Sequence, residues 1–276
     1  MERRTRVYPA RQPNSGWLST FILLVAAAVL FSGMIHRGDG DGLLIQKSSA
    51  PTPIPMDEVF DETQLQKEMT LPSSQWYALQ MGAFEDEAAA EALAAQYVAR
   101  GAGGYVWCDG RYRVLAAVYP LKEDAQLVRQ QLETQHDIDT YLYQIDLPAL
   151  QLRLNGMRGQ LDILEAAFIH ADDLLKRMQL LSVAMDRREM SAQEAREQLD
   201  GLAEQIQLVD LRLKQRFVSP RHEMVDGMIR CFDSYLTFCT QQTSTESAVS
   251  LGAALKHQTL SILDDLKQIY TALQHT

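Results

Sequence analysis

At 276 residues the chain has room for one or two domains, each able to bury its own core, and 46% hydrophobic against 22% charged residues describes a folded protein. A formal net charge of −10 argues against a nucleic-acid partner, which would need a basic face to release counterions. Three cysteines, Cys108, Cys231 and Cys239, form no CxxC pair. Cys231 and Cys239 lie eight apart in a helical stretch, about 12 Å along the axis and too far to bridge. The thiols therefore read as small buried hydrophobes, with neither a disulfide framework nor a metal site.

In chain order, the first element is "WLSTFILLVAAAVLFSGMI", Trp17–Ile35, apolar and free of charge over about nineteen residues, close to the ~20 that span a bilayer core. Arg3, Arg4, Arg6 and Arg11 precede it and only Arg37 follows closely. The positive-inside rule then gives a single-pass protein of the cell membrane: a cytoplasmic basic tail over 1–16, a transmembrane helix over 17–35, and the bulk of the chain extracytoplasmic. A cleaved signal peptide is the competing reading, but its apolar core is usually shorter and no clear A-x-A site follows. Residues 36–72 read as an extracytoplasmic linker, with "GDGDG" and "SSAPTPIP" supplying turns and polyproline character.

Residues 73–146 alternate between strand and helix patterns. A strand over about Gln75–Phe84 is followed by a helix over about Asp86–Arg100, ended by "RGAGG" with Gly101 as a left-handed cap. Two strands, "YVWC" and "RYRVLAAVY", flank Asp109-Gly110, a strong hairpin turn. A second helix over about Lys122–Gln135 and a strand "TYLYQI" complete an α+β, ferredoxin-like βαββαβ unit, with both helices on one face of the sheet and the other face open. Alternation assigns Ala78, Gln80 and Gly82, with Arg113, Leu115 and Ala117, to the open face. It sends Tyr77, Leu79 and Met81 under the helices.

Residues 147–276 change period. Leu150, Leu154, Met157, Leu161, Leu164, Phe168, Ala171, Leu175, Met178 and Met185 keep a 4-3 spacing, interrupted at Ser182, that predicts one long helix. Ser191 and Glu194 form a capping box for a second helix, and two more amphipathic segments follow. Four helices with short connections predict an all-α bundle.

The segment 73–146 resembles the SPOR (sporulation-related repeat) domain family. That family's first strand runs aromatic-x-hydrophobic-Gln-hydrophobic-Gly-small-Phe, matched here by Tyr77-Ala78-Leu79-Gln80-Met81-Gly82-Ala83-Phe84. Its third strand opens on an aromatic-Arg-Val step, matched by Tyr112-Arg113-Val114. Where the family continues to Gly-Pro, this chain carries Ala117-Val118, with a proline only at Pro120. The resemblance implies a domain that binds peptidoglycan glycan strands through its open sheet face, preferring strands stripped of stem peptides, on bitopic membrane proteins of cell division or sporulation. Sugars call for apolar platforms together with amide and guanidinium donors. The candidate glycan-binding residues are Gln80, Gly82, Arg113, Leu115, Tyr105 and Trp107, with Tyr141 or Tyr143 as further platforms.

No HExxH, GxSxG, P-loop or dinucleotide signature occurs, and no cofactor or metal is expected. "FIHADD" places His170 and Asp173 one helical turn apart, without the second pair a metal would require. The expected partners are glycan strands, the lipid bilayer through 17–35, and either a protein partner or a second copy through the bundle. Two other readings exist for the sheet. An RNA-binding domain of the same βαββαβ order would need a basic sheet and a [KR]-G-[FY]-[GA]-[FY] third strand, which Arg111–Leu115 does not supply. Alternatively, the sheet is only a spacer for a structural or interaction protein acting through its bundle.

Overall fold

The computed structural model describes residues 63–218, 221–242 and 247–274. The expected tail, transmembrane helix and most of the expected linker lie outside these residues. Among the described residues no helix is long and apolar enough to cross a membrane.

Six strands and six helices follow in the order β1 (Gln64–Leu71), β2 (Ser74–Phe84), α1 (Glu87–Val98), β3 (Tyr105–Cys108), β4 (Tyr112–Tyr119), α2 (Lys122–His136), β5 (Tyr141–Leu147), β6 (Leu150–Met157), α3 (Arg158–Asp186), α4 (Ala192–Arg216), α5 (Glu223–Gln241) and α6 (Ala248–Gln274). Within 73–146 the sequence expectations hold to within a residue or two. Asp86 caps α1 by accepting from the Ala89 amide at 2.9 Å, Gly101 takes φ 90°, and Gly110 in the hairpin takes φ 92°. The sheet is antiparallel, in the order β3-β4-β2-β5.

Two stretches depart from expectation. Gln64–Leu71, inside the expected linker, is a strand paired with Leu150–Met157, which the 4-3 spacing had assigned to the long helix. "LQLRLNGM" also alternates strictly, and Leu150 and Leu154, four apart, satisfy a period of two as well as a heptad. Pairing decides between them, because β1 offers Leu65, Met69 and Leu71 at the matching parity. The helix starts at Arg158, whose amide still continues the ladder by donating to Thr63 O at 2.9 Å.

The β1–β6 ribbon keeps the register of β2–β5: Leu71 faces Leu150, and three residues on Ser74 faces Leu147. In the gap, Pro72 and Ser73 stand opposite Ala149 and Pro148. Proline has no amide to donate, so the ladder lapses on both strands at one level.

Helices α3 to α6 form the bundle. Each packs on its neighbour in the chain and α6 closes the ring on α3. The heptad positions from Leu161 onward are buried, as are Ala195, Leu199, Leu202, Ile206, Val209 and Leu213 of α4. Ser191 and Glu194 make the expected capping box, at 3.2 and 2.8 Å. Cys231 is buried and Cys239 half-buried, while Cys108 is exposed beside the hairpin turn, contrary to the expectation of three buried thiols.

The bundle is not a separate unit. Trp76, Ala78, Trp107, Leu115, Val118, Ile145 and Leu147 of the sheet share one continuous core with α3 to α6 and with Met69 and Leu71 of the ribbon. The sheet is therefore a middle layer, with α1 and α2 on one side and the bundle, chiefly α6, on the other. That corrects the expected open face.

Two outcomes test this packing. A methyl on Gly103 would sit 3.0 Å from Ala116 O, His257 N and the Lys256 carbonyl carbon, all backbone atoms that cannot step aside. Gly103→Ala should therefore destabilise the protein by about 1–3 kcal/mol in chemical denaturation, whereas Gly201→Ala, with open space around its Cβ, should not. In α6, burial and then the neighbouring Asp264 raise the Asp265 carboxyl to about 6. The folded state thus holds its proton more tightly than the unfolded one, so stability falls as pH rises from about 4 to about 6. Asp265→Asn should flatten that fall, gaining about 1 kcal/mol at pH 8 after allowance for solvent screening, and nothing at pH 4.

Candidate functional site

The six candidate residues separate into two groups along the sheet face. At its inner part, Leu115 is fully buried and Trp107 retains 3% exposure. Tyr105 donates its phenol hydrogen to Asp264 Oδ2 at 2.7 Å and meets the His257 ring edge-on at 5.2 Å between centroids. Leu115 and Trp107 are not available as solvent-facing platforms and Tyr105 is half-buried against α6; the cause is apolar area, which these side chains bury against the bundle. Burial, and then Asp264, push the Tyr105 phenol well above its ordinary range, so it stays a donor.

Gly82 is also displaced from its expected position. Two register shifts interrupt β2–β4, between Ala78 and Gln80 and between Gln80 and Gly82. Across the first, Ala117 joins Ala116 in the core on the α2 side. Across the second, Gly82 pairs with Val114, and a Cβ there would meet Leu93 of α1 at 3.0 Å. Each bulge turns one extra residue to the helix side, and simple alternation cannot foresee it. Ala83, opposite Arg113, takes the place assigned to Gly82.

Gln80 and Arg113 meet as expected from the sequence. Arg113 Nη1 donates to Gln80 Oε1 at 2.9 Å, while its Nε reaches both Asp109 oxygens, at 2.9 and 3.0 Å. Tyr143 donates to Asp109 Oδ2 at 2.8 Å, and the Arg113 guanidinium lies 4.7 Å from the centre of the Tyr143 ring. Partial burial favours the protonated Asp109 carboxyl, but hydrogen bonds from Tyr143 and Arg113 outweigh it and hold the group below the usual range. The Tyr143 phenol is pushed up to about 12, by burial first and by Asp109 second.

Tyr141 stands directly opposite Gln80 on β5 and is 57% exposed. The end of the face that α6 leaves open thus carries an aromatic ring, a guanidinium stacked on a second ring and a carboxylate, with the Gln80 amide buried behind them at 9% exposure. These are the group types that hold a sugar: a flat apolar platform with donors and acceptors at its edge. Asp109 was read from the sequence as half of a turn and as a charge near Arg113; that it also holds Tyr143 of the far strand β5 is set by the fold. Elsewhere, Asp173, one turn from His170, is engaged by Arg177 at 2.7 Å. A groove of about 610 Å³ lies at the ladder break between Ser74, Tyr77, Lys122 and Asp146, and none of the six candidates lines it.

A family model decides what this sheet is. Residues 73–144 match the SPOR domain. The match spans about a quarter of the chain and takes in β2 through most of β5, together with Gln80, Arg113, Tyr141 and Tyr143. It leaves out the β1–β6 ribbon and the bundle. Comparison with curated proteins and with solved structures gave no match.

The organising role of Asp109 in the SPOR domain can be checked by titration. Tyr143→Phe removes one of its hydrogen bonds, so the Asp109 midpoint followed by NMR should rise toward the ordinary carboxyl value. An unmoved midpoint would show that Tyr143 does not hold it.

Proposed function

We propose that the protein is a membrane-anchored, non-catalytic binding protein that attaches to peptidoglycan glycan strands through its SPOR domain and gathers where the cell wall is remodelled, in division or sporulation. The SPOR match over 73–144 supports peptidoglycan as the ligand, and the observation that carries the site is the exposed Tyr141 beside the Arg113–Gln80–Asp109–Tyr143 cluster. A sugar ring would stack on Tyr141, while Arg113 and Gln80 would donate to its hydroxyl and acetamido groups. The apolar stretch 17–35 with its basic N-terminal flank supports an anchor that leaves the SPOR domain on the extracytoplasmic side. Outward-facing Ile169 and Leu180 of α3, and Leu208 and Leu211 of α4, support a protein partner or a second copy at the bundle.

A second reading has its own observation. Most of the sheet face is packed under α6, which suits a structural or interaction protein whose sheet merely braces the bundle.

Co-sedimentation of the detergent-solubilised full chain with purified sacculi separates the two, before and after amidase removal of stem peptides. The glycan reading predicts pelleting that increases after amidase treatment and drops about tenfold in Arg113→Ala and in Tyr141→Ala, each contact being of order 1–1.5 kcal/mol. Pelleting of the wild type that neither substitution changes, or no pelleting at all, favours the bracing role.

A further inference from the structure

We propose that α6 and the bundle form a hinged cover over the glycan face, so that the protein alternates between a closed state with a short site and an open state with the whole face exposed. The inference rests on the glycan reading of the SPOR domain and adds how that site is regulated.

Three observations meet. First, the inner face carries the aromatic and apolar side chains that would lengthen a glycan platform, buried Trp107 and Leu115 and half-buried Tyr105, in line with the exposed Tyr141 and the half-buried Arg113. Second, α6 is fastened to the SPOR domain by polar contacts along one stripe. Lys256 Nζ donates to Gly101 O at 2.9 Å, His257 Nδ1 lies 2.9 Å from Gly103 O, Asp264 accepts from Tyr105, and Lys267 Nζ donates to Asp146 O at 2.6 Å. Three of these four partners are backbone carbonyls, which water can satisfy once the helix lifts. The one buried ion pair nearby, Lys256–Asp186 at 2.6 Å, joins α6 to α3 and would travel intact with the bundle. Opening therefore separates none of the described ion pairs.

Third, a hinge exists at the right place. The β1–β6 ribbon is bound to the bundle: Leu150, Leu152 and Leu154 pack into its core, and Lys67 bridges Asp162 and Glu165 of α3, both at 2.7 Å. Ribbon and bundle are joined covalently to the SPOR sheet only through Pro72-Ser73 and Pro148-Ala149, where the ladder lapses on both strands at one level, so that opening must part the shared apolar core but not the chain's own ladder. Rotation there breaks no ladder hydrogen bond. A glycan strand long enough to cover Trp107 and Leu115 binds only the open state and shifts the population toward it.

Sacculus pelleting of the full chain tests the cover with two variants of opposite sign. A latch variant, His257→Ala/Asp264→Ala/Lys267→Ala, should pellet about tenfold more strongly than wild type, as expected for loss of three hydrogen bonds from the closed state alone. A stiffened hinge, Pro72→Val/Pro148→Val, lets the ladder run through and should pellet more weakly, approaching the level of the short site. Nuclear Overhauser contacts between the Tyr105 and His257 rings, read in wild type and the stiffened variant, keep the test readable if the latch variant is poorly folded. Added soluble glycan strands should weaken them in wild type, and not in the stiffened variant. Pelleting equal in all three proteins, with the Tyr105–His257 contacts unchanged by glycan, overturns the cover and leaves glycan binding standing. Absence of pelleting in all three overturns glycan binding and the cover with it.

Discussion

The buried Lys256 ammonium sets the register of the whole assembly. It is 5% exposed, with Asp186 of α3 on one side and the carbonyl of Gly101, past the end of α1, on the other. An ammonium removed from water must be paired and hydrogen-bonded, and taking away one partner of such a pair costs several kcal/mol. Burial holds the Asp186 carboxyl above its ordinary value, and Lys256 offsets part of that cost. Only one axial position of α6 brings Lys256 to both partners, and that position carries His257, Asp264 and Lys267 to theirs. Gly103 completes the arrangement by letting the α6 backbone approach to a distance that a side chain would forbid.

From that register follows the layer order, and from the layer order how much of the sheet face meets solvent. The SPOR sheet has helices of its own on one side and a foreign helix on the other, so only the outer end of its second face meets solvent. There the hairpin carboxylate Asp109 fixes Arg113 and Tyr143 in place, an arrangement that would lower the ordering cost of the proposed sugar contact. The same contacts that shape this end leave it short: Tyr141 is one platform, and the remaining aromatic area lies under α6.

The local elements of residues 73–146 were legible because their signals are local: the Asp86 cap, the Gly101 stop, the Asp109-Gly110 turn and alternation within single strands. The meeting of Gln80 and Arg113 was legible for the same reason, as both lie on one face of neighbouring strands. What escaped the sequence is set by long-range pairing. "LQLRLNGM" satisfies two periods at once, and only β1, some eighty residues earlier, selects the strand. The bulges that turn Gly82 and Ala117 away are properties of a strand pair. Above all, nothing in "YVWC" distinguishes a tryptophan buried under a foreign helix from one offered to a sugar. Burial of Trp107 and Leu115 depends on a helix that begins 140 residues after β3.

The central claim is that α6 lies across the sheet face of the SPOR domain. It is tested most directly by nuclear Overhauser contacts between the aromatic protons of Tyr105 and the ring protons of His257, in a sample labelled at both residue types. The rings are 5.2 Å apart between centroids, so the account predicts clear cross-peaks that disappear in His257→Ala. Tyr105 signals without any contact to His257, and as accessible to solvent as those of Tyr141, would contradict it.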